Sequence, residues 1–263
     1  MEYTKQTYEV RSEVLERSVS CTLLIPKNRP VTEPVNLLVL NDGQEIENLG
    51  FEQTLNTLYD HDRIPPIVVA CVNAGEERLL EYGVANNPDF KERGSKAGLY
   101  SRFIIDEFLP FVYSKVPGPC VHGISAIAGF SLGGLTAMDI AWHNNNRFDK
   151  VGAFSASFWW REKDLNEGYT DADRIMHRVI RESSLKPDLK FWLQTGTHDE
   201  VADRNQNGII DSIDDTIDLI KELEAKGYTR PTDVQYVEII GGEHNSDTWG
   251  KAMSKFLCWA FGV

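Results

Sequence analysis

Long apolar runs are missing from this chain, and so is any excess of positive charge. No uninterrupted stretch approaches the roughly 20 residues that cross a bilayer, so the sequence pattern excludes a helical membrane span. The 27 Lys and Arg stand against 40 Asp and Glu, giving a formal net charge of −13. That sign repels phosphate backbones and anionic lipid, which excludes non-specific binding to nucleic acid or to a membrane surface. Cysteine is scarce: Cys21, Cys71, Cys120 and Cys258 lie far apart, with no C-x-x-C pair. Cys71 falls in a buried-strand pattern and Cys258 in an apolar helix pattern, so packing thiols are expected rather than disulfides. The opening Met1-Glu2-Tyr3-Thr4-Lys5 lacks the apolar core of a signal peptide, which places the protein in the cytoplasm unless a leader has been removed. There is no fixed-period repeat and no low-complexity segment.

What is present suffices for one large domain of 263 residues, 41% of them hydrophobic. Strand and helix patterns alternate, which predicts an α/β fold with a mostly parallel central sheet and helices on both faces. Residues 8–26 alternate like an antiparallel hairpin. Strands are expected over 35–40, 66–73, 124–130, 151–158, 189–195 and 234–240. Helices are expected over 51–59, over 99–113 with Pro110 kinking or shortening it, after residue 131, over 211–226 and over 249–261. Ser212 with Asp215 resembles a capping box, and Gly227 sits where a helix stops. A polar helical insertion is expected around 161–184, and no linker divides the chain.

Ile124-Ser125-Ala126-Ile127-Ala128-Gly129-Phe130-Ser131-Leu132-Gly133-Gly134-Leu135 is the most informative segment. A short apolar strand delivers Ser131 between two glycines and runs at once into a helix pattern, the context of a nucleophile elbow. A serine hydroxyl is a poor nucleophile until it is lifted from the backbone and aimed at a base. The sharp turn does this by forcing strand and helix together, and glycine at 129 and 133 leaves room for the approach. The helix start presents backbone N–H groups where an oxyanion forms. The same run would also serve as a glycine-rich turn that happens to hold a serine.

A serine elbow needs a base and an orienting acid, following it in chain order on loops after later strands. Of His61, His122, His143, His177, His198 and His244, only the last lies beyond the final acid-bearing strand, in Gly241-Gly242-Glu243-His244-Asn245. For the acid, Gly196-Thr197-His198-Asp199-Glu200 follows a strand. Asp199 is the first carboxylate past the turn, and adjacent Glu200 remains an alternative. The oxyanion donors expected are the Leu132 N–H and one N–H from Asn41-Asp42-Gly43-Gln44, with the Gln44 amide favoured.

GFSLGG, the NDGQ turn, the loop containing RLLEYGV, the GTHDE loop and the GGEHNSDTW loop together resemble the putative esterase family. That family includes esterase D-like, enterochelin esterase-like and feruloyl esterase-like α/β-hydrolases. The resemblance runs from about Val10 to the C-terminus. It implies an α/β-hydrolase fold and catalytic roles for Ser131 and His244, with the acid the less uniform member.

A second constellation is independent of the elbow. Asp203, Asn205, Asn207, Asp211 and Asp214 fall at the oxygen-ligand positions of a twelve-residue calcium loop, with Gly208 at the turn and the Ile209 carbonyl available. Asp in place of Glu at the last position departs from the usual pattern. An Asn-Gly turn with Asp211 or Ser212 capping a helix explains the segment without a metal. Calcium here would be structural, with no cofactor needed for catalysis. Trp159 and Trp160 could wall the acyl or aryl group of a substrate; Arg78, and with it Arg93 and Lys96, could grip an anionic part. These readings converge on a serine esterase with a Ser131–His244–Asp199 triad and a small-molecule ester substrate. An acyltransferase, a thioesterase of the S-formylglutathione hydrolase kind, or a non-catalytic binding protein on the same fold are the alternatives.

Overall fold

The computed structural model describes residues 3–27, 33–117 and 122–262. Two antiparallel strands, β1 (Tyr3–Ser12) and β2 (Arg17–Pro26), open the chain as the expected hairpin. Then come β3 (Val35–Asn41), helix α1 (Phe51–Asp60), β4 (Ile67–Val72) and a short helix α2 (Arg78–Glu81). Helices α3 (Ala97–Arg102) and α4 (Leu109–Lys115) lead to β5 (His122–Phe130), α5 (Leu132–His143) and β6 (Lys150–Phe154). The chain closes with α6 (Ile175–Glu182), β7 (Lys190–His198), α7 (Asp211–Ala225), β8 (Val234–Glu243) and α8 (Ser246–Phe261). The strands form one sheet in the order β1-β2-β4-β3-β5-β6-β7-β8. β2 pairs antiparallel with β4, and every pairing from β4 to β8 is parallel.

The central strands are apolar throughout because both of their faces are covered. Leu37 and Val39 point to one core with Val68, Ala70 and Ile127, while Leu38 and Leu40 point to the other with Val69, Cys71 and Ala128. Helices α3 to α7 seal the first face, through residues such as Tyr100, Leu135, Ile180 and Leu219; α1 and α8 seal the second. Cys21 and Cys71 are buried free thiols, their pKa values pushed up to about 12 by burial, and Cys258 is a half-buried free thiol. Cys120 lies outside the described residues. Among the described residues no helix is long and apolar enough to cross a membrane.

Four local expectations change. Pro110 does not end its helix. A π-helical turn over Phe103–Phe108 joins α3 to α4, and Pro110 sits in the first turn of α4, where its missing N–H is tolerated. The strand expected over 151–158 stops at Phe154, because Ser155 takes φ 43° and turns the chain. Within 161–184 only Ile175–Glu182 is α-helical, after a 3-10 turn at Asp171–Asp173. The Ser212–Asp215 capping box is not formed. Ile210 occupies the cap of α7, the Ser212 hydroxyl has no partner, and Asp215 is drawn into a buried ion cluster. There it accepts from Arg174 Nη1 at 2.6 Å and Arg204 Nη1 at 3.0 Å. Charge neutralisation outcompetes a cap because two buried guanidinium groups left unpaired would cost far more than one missing capping bond.

Candidate active site

The residues singled out in sequence meet at the C-terminal ends of β5, β7 and β8. Ser131 stands between β5 and α5 with φ 55° and ψ −122°. A non-glycine residue in such a conformation costs on the order of 1–3 kcal/mol unless its surroundings fix it. They do so through its own backbone. The Ser131 N–H donates to Phe154 O at 2.9 Å, and its carbonyl accepts from the N–H groups of Gly134, Leu135 and Ser157. The flanking glycines are required by contact. A Cβ on Gly129 would lie 2.4 Å from the Gly133 carbonyl, and one on Gly133 would lie 2.4 Å from Asp42 Oδ2. Asn41 ties the crossing by donating to Gly133 O at 3.0 Å, and the Tyr100 hydroxyl donates to the Asn41 side chain at 2.9 Å.

Asp199 and His244 come from neighbouring strand ends. Gly196 brings the two loops together, since a Cβ there would lie 2.4 Å from Gly242 O and 2.9 Å from Asp199 Oδ1. The Asp199 carboxylate, 9% exposed, accepts from the Gly196 N–H at 2.9 Å and from the Ser155 hydroxyl at 3.0 Å. Ser155 in turn accepts from Trp249 Nε1 at 3.0 Å. Trp249 stacks on Phe130, the residue before Ser131, and meets the His244 ring edge-on at 5.3 Å. One indole thus braces acid, base and elbow together. Burial raises the Asp199 pKa against the pull of Gly196, Ser155 and His244. For His244, burial lowers the pKa; the Asp199 charge opposes this and the Arg78 charge assists it. Of the two adjacent carboxylates, Asp199 is the one whose charge acts on His244; the Glu200 pKa is raised by burial, with the charges of Asp211, Asp215 and Asp199 adding to it.

Ser131, Asp199 and His244 line one cavity of about 320 Å³ with Leu132, Ser155, Ser157, Trp159, Glu200 and Ser212. The Ser131 hydroxyl lies 3.4 Å from that of Ser157. A second cavity of about 260 Å³ also reaches Ser131 and is lined by Asp42, Gln44, Glu45, Arg78, Phe130 and Trp249. Leu132 is the first residue of α5, where a backbone N–H has no partner within the helix. Gln44 lies on the opposite side of Ser131 in a 3-10 turn, its side chain donating to Asp42 at 3.3 Å and accepting from the Ala74 N–H at 2.9 Å.

Other expectations are redirected. Trp160 does not wall the cavity: it is fully buried, its indole donates to Asn87 O at 3.1 Å, and Gly83 and Gly94 pack against its ring. Trp159 does line the cavity. Arg78 faces the site but is held by Asp42 through two bonds of 2.7 and 2.9 Å; Arg93 pairs with Asp89 and Lys96 with Glu77. None of the three is a free cation waiting for an anion. In the 203–214 loop, Asn205 and Asn207 donate to Asp214 Oδ2 at 2.9 and 2.7 Å, and Asp203 accepts from the Gly208 N–H at 2.9 Å. Ile209 is partly exposed on the same loop. Asp211 turns away, accepting from the Arg204 N–H at 2.9 Å and pairing with its guanidinium at 3.3 Å. Among the described residues no group of three or more His, Cys, Asp or Glu is gathered to hold a metal ion. Ser155 and Trp249 escaped sequence reasoning, because the first read as strand and the second as ordinary helix face.

A parallel sheet of this order, with a strained serine where β5 meets α5, is the α/β-hydrolase fold. The chain belongs to the putative esterase family, whose profile matches residues 12–260. Among solved structures it resembles the enterochelin esterase of Shigella flexneri, with 18% identity, a TM-score of 0.73, and coverage of 97% of this chain and 57% of that one. The chain thus spans less than two thirds of that enzyme's length. A ferulic acid esterase matches with 19% identity and a TM-score of 0.72 over 99% of this chain and 98% of its own. The protein YbbA of Bacillus subtilis (strain 168) is 24% identical over 231 residues, 85% of this chain and 84% of its own.

The glycine contacts can be tested through stability. Within a helix, Gly→Ala ordinarily stabilises by about 1 kcal/mol. At Gly133 the sign should reverse, because the new Cβ meets the Asp42 carboxylate. Urea unfolding of Gly133→Ala should show a lower midpoint than the unsubstituted protein.

Proposed function

We propose that this protein is a serine esterase that hydrolyses carboxylic esters through an acyl-enzyme. The observation that carries the reading is the strained Ser131 sharing one cavity with His244 and Asp199. His244 takes the Ser131 hydroxyl proton as Oγ bonds to the ester carbonyl carbon. The negative charge then developing on the carbonyl oxygen is met by the N–H groups of Leu132 and Gln44. The imidazolium, steadied by Asp199, gives its proton to the departing alkoxide as the C–O bond breaks. Water then gives a proton to His244 and its oxygen to the acyl carbon; Ser131 recovers the proton as the acid leaves. The names of the similar proteins make enterochelin-type lactones and ferulic acid esters the first substrates to try. Transfer to another alcohol or thiol differs only in what reaches the acyl-enzyme, so the alcohol product must be assayed as well as the acid.

We also propose a structural calcium ion in the 203–214 loop, supported by the spacing of its oxygen-bearing side chains and by the hydrogen bonds that tie Asn207 to both Asp203 and Asp214. Asp203, Asn205, Asn207, the Ile209 carbonyl and Asp214 would hold it, leaving Asp211 to act through water. Its effect would be to fasten the loop between β7 and α7.

Three outcomes are expected. Ser131→Ala should remove fluorophosphonate labelling and nearly all release of p-nitrophenol from short acyl esters, and Asp199→Asn should lower kcat by orders of magnitude. Labelling that persists in Ser131→Ala would overturn the nucleophile. Because His244 must be neutral to act and its pKa is lowered, kcat/KM should rise with pH along a limb centred below the ordinary histidine value of about 6.5. A limb centred above that value would contradict the desolvated site. EDTA should lower the melting temperature and calcium should restore it better than magnesium; superimposable curves would favour a metal-free turn.

A further inference from the structure

The lining of the Ser131 cavity carries two buried polar atoms without partners among the described residues. Glu200 Oε1 and Ser212 Oγ are both shielded from solvent and make no hydrogen bond among the described residues. Ser212 is only 8% exposed, and both residues line the cavity with Ser131 and Trp159. Buried polar atoms are nearly always satisfied, so two orphans in the lining of one cavity point to a ligand that satisfies them. The backbone holds the pair in place: Glu200 follows Asp199 at the end of β7, and Ser212 stands in the first turn of α7; burial raises the Glu200 pKa, and the Ser212 amide opposes this.

The chemistry of the missing partner follows from the charges around it. The Glu200 carboxyl oxygen offers lone pairs and the Ser212 hydroxyl both donates and accepts, so a partner able to donate and to accept satisfies the two together. No Lys or Arg lines this cavity, while Asp199 and Glu200 both do. The loop cations nearby are committed to Asp42, Asp89 and Glu77. An anionic substituent would therefore enter against two carboxylates without compensation. An ammonium group is disfavoured for a different reason. It has no lone pair to accept from the Ser212 hydroxyl, whereas a hydroxyl donates to Glu200 and accepts from Ser212. A neutral hydroxyl group meets every condition.

We infer that Glu200 and Ser212 form a specificity subsite that reads a neutral, hydroxyl-bearing group of the ester, packed beside Trp159. This rests on the reading of Ser131 as an esterase nucleophile, and it deepens that reading by naming a substrate feature. A site built to bond a hydroxyl discriminates strongly against an analogue that lacks it, because its own polar groups are then left unpaired.

Two matched ester series test this without assuming which side of the ester enters the cavity. The acyl series is methyl phenylpropanoate with its para-hydroxyphenyl and para-carboxyphenyl analogues. The alcohol series is benzyl, meta-hydroxybenzyl and meta-carboxybenzyl acetate. In at least one series the hydroxylated ester should exceed the unsubstituted one in kcat/KM by about tenfold or more, and the carboxylated ester should be the poorest. Glu200→Gln should shrink the hydroxyl preference and relieve the penalty on the carboxylated ester. Ser212→Ala should shrink the preference while leaving the carboxylate penalty in place. Fluorophosphonate labelling of each variant separates a lost preference from a lost fold. No hydroxyl preference in either series, or a preference that survives both substitutions, would overturn the subsite. If the unsubstituted protein neither labels nor turns over any ester, it is the nucleophile reading that fails.

Discussion

The close crossing of β5 and α5 over Gly129 and Gly133 is the constraint on which the rest depends. A Cβ on Gly129 would run into the Gly133 backbone, and one on Gly133 would run into the Asp42 carboxylate that Arg78 holds in place. The crossing forces Ser131 to positive φ and frees the first N–H of α5. Four backbone hydrogen bonds around Ser131 keep the strained turn from relaxing. The same contact fixes Asp42, whose carboxylate sits against Gly133 and anchors Arg78. The Arg78 charge that acts on His244, the helix-start N–H of Leu132 and the lifted Ser131 hydroxyl therefore all depend on one steric condition.

A second tight approach, at Gly196, does the corresponding work for acid and base. It lets the β7 and β8 loops touch, so that Asp199 and His244 share one low-dielectric space. Trp249 joins the two approaches. Its ring packs between Phe130 and His244, and its N–H reaches Asp199 through Ser155. Electrostatic preorganisation of this sort lets a charge form on the imidazole without rearrangement of its surroundings.

Electrostatics also separate the two halves of the site. The cavity holding Arg78 is balanced by Asp42 and Glu45, whereas the cavity holding Glu200 has no cation in its lining. The overall charge of −13 is thus echoed where substrate enters. Arginines that look available in a sequence are here committed to the protein's own carboxylates. Each is partly buried, and a partly buried guanidinium without a partner is costly.

Much was legible in the chain before any coordinates. The apolar strands, the helices between them and the elbow are written in local pattern, because strand burial and a glycine-flanked serine depend on residues close in sequence. The chain order of serine, acid and histidine followed from the positions of the strand ends. Tertiary structure alone decided the matters that depend on distant partners. It set Ser155 and Gly196 against Asp199 and not against Glu200, and it buried Trp160 while leaving Trp159 at the cavity. It also drew Asp215 from a helix cap to a pair of arginines. In each case the side chains that compete for one residue lie far away along the chain, and which of them wins is set by burial and charge, which the local sequence does not record.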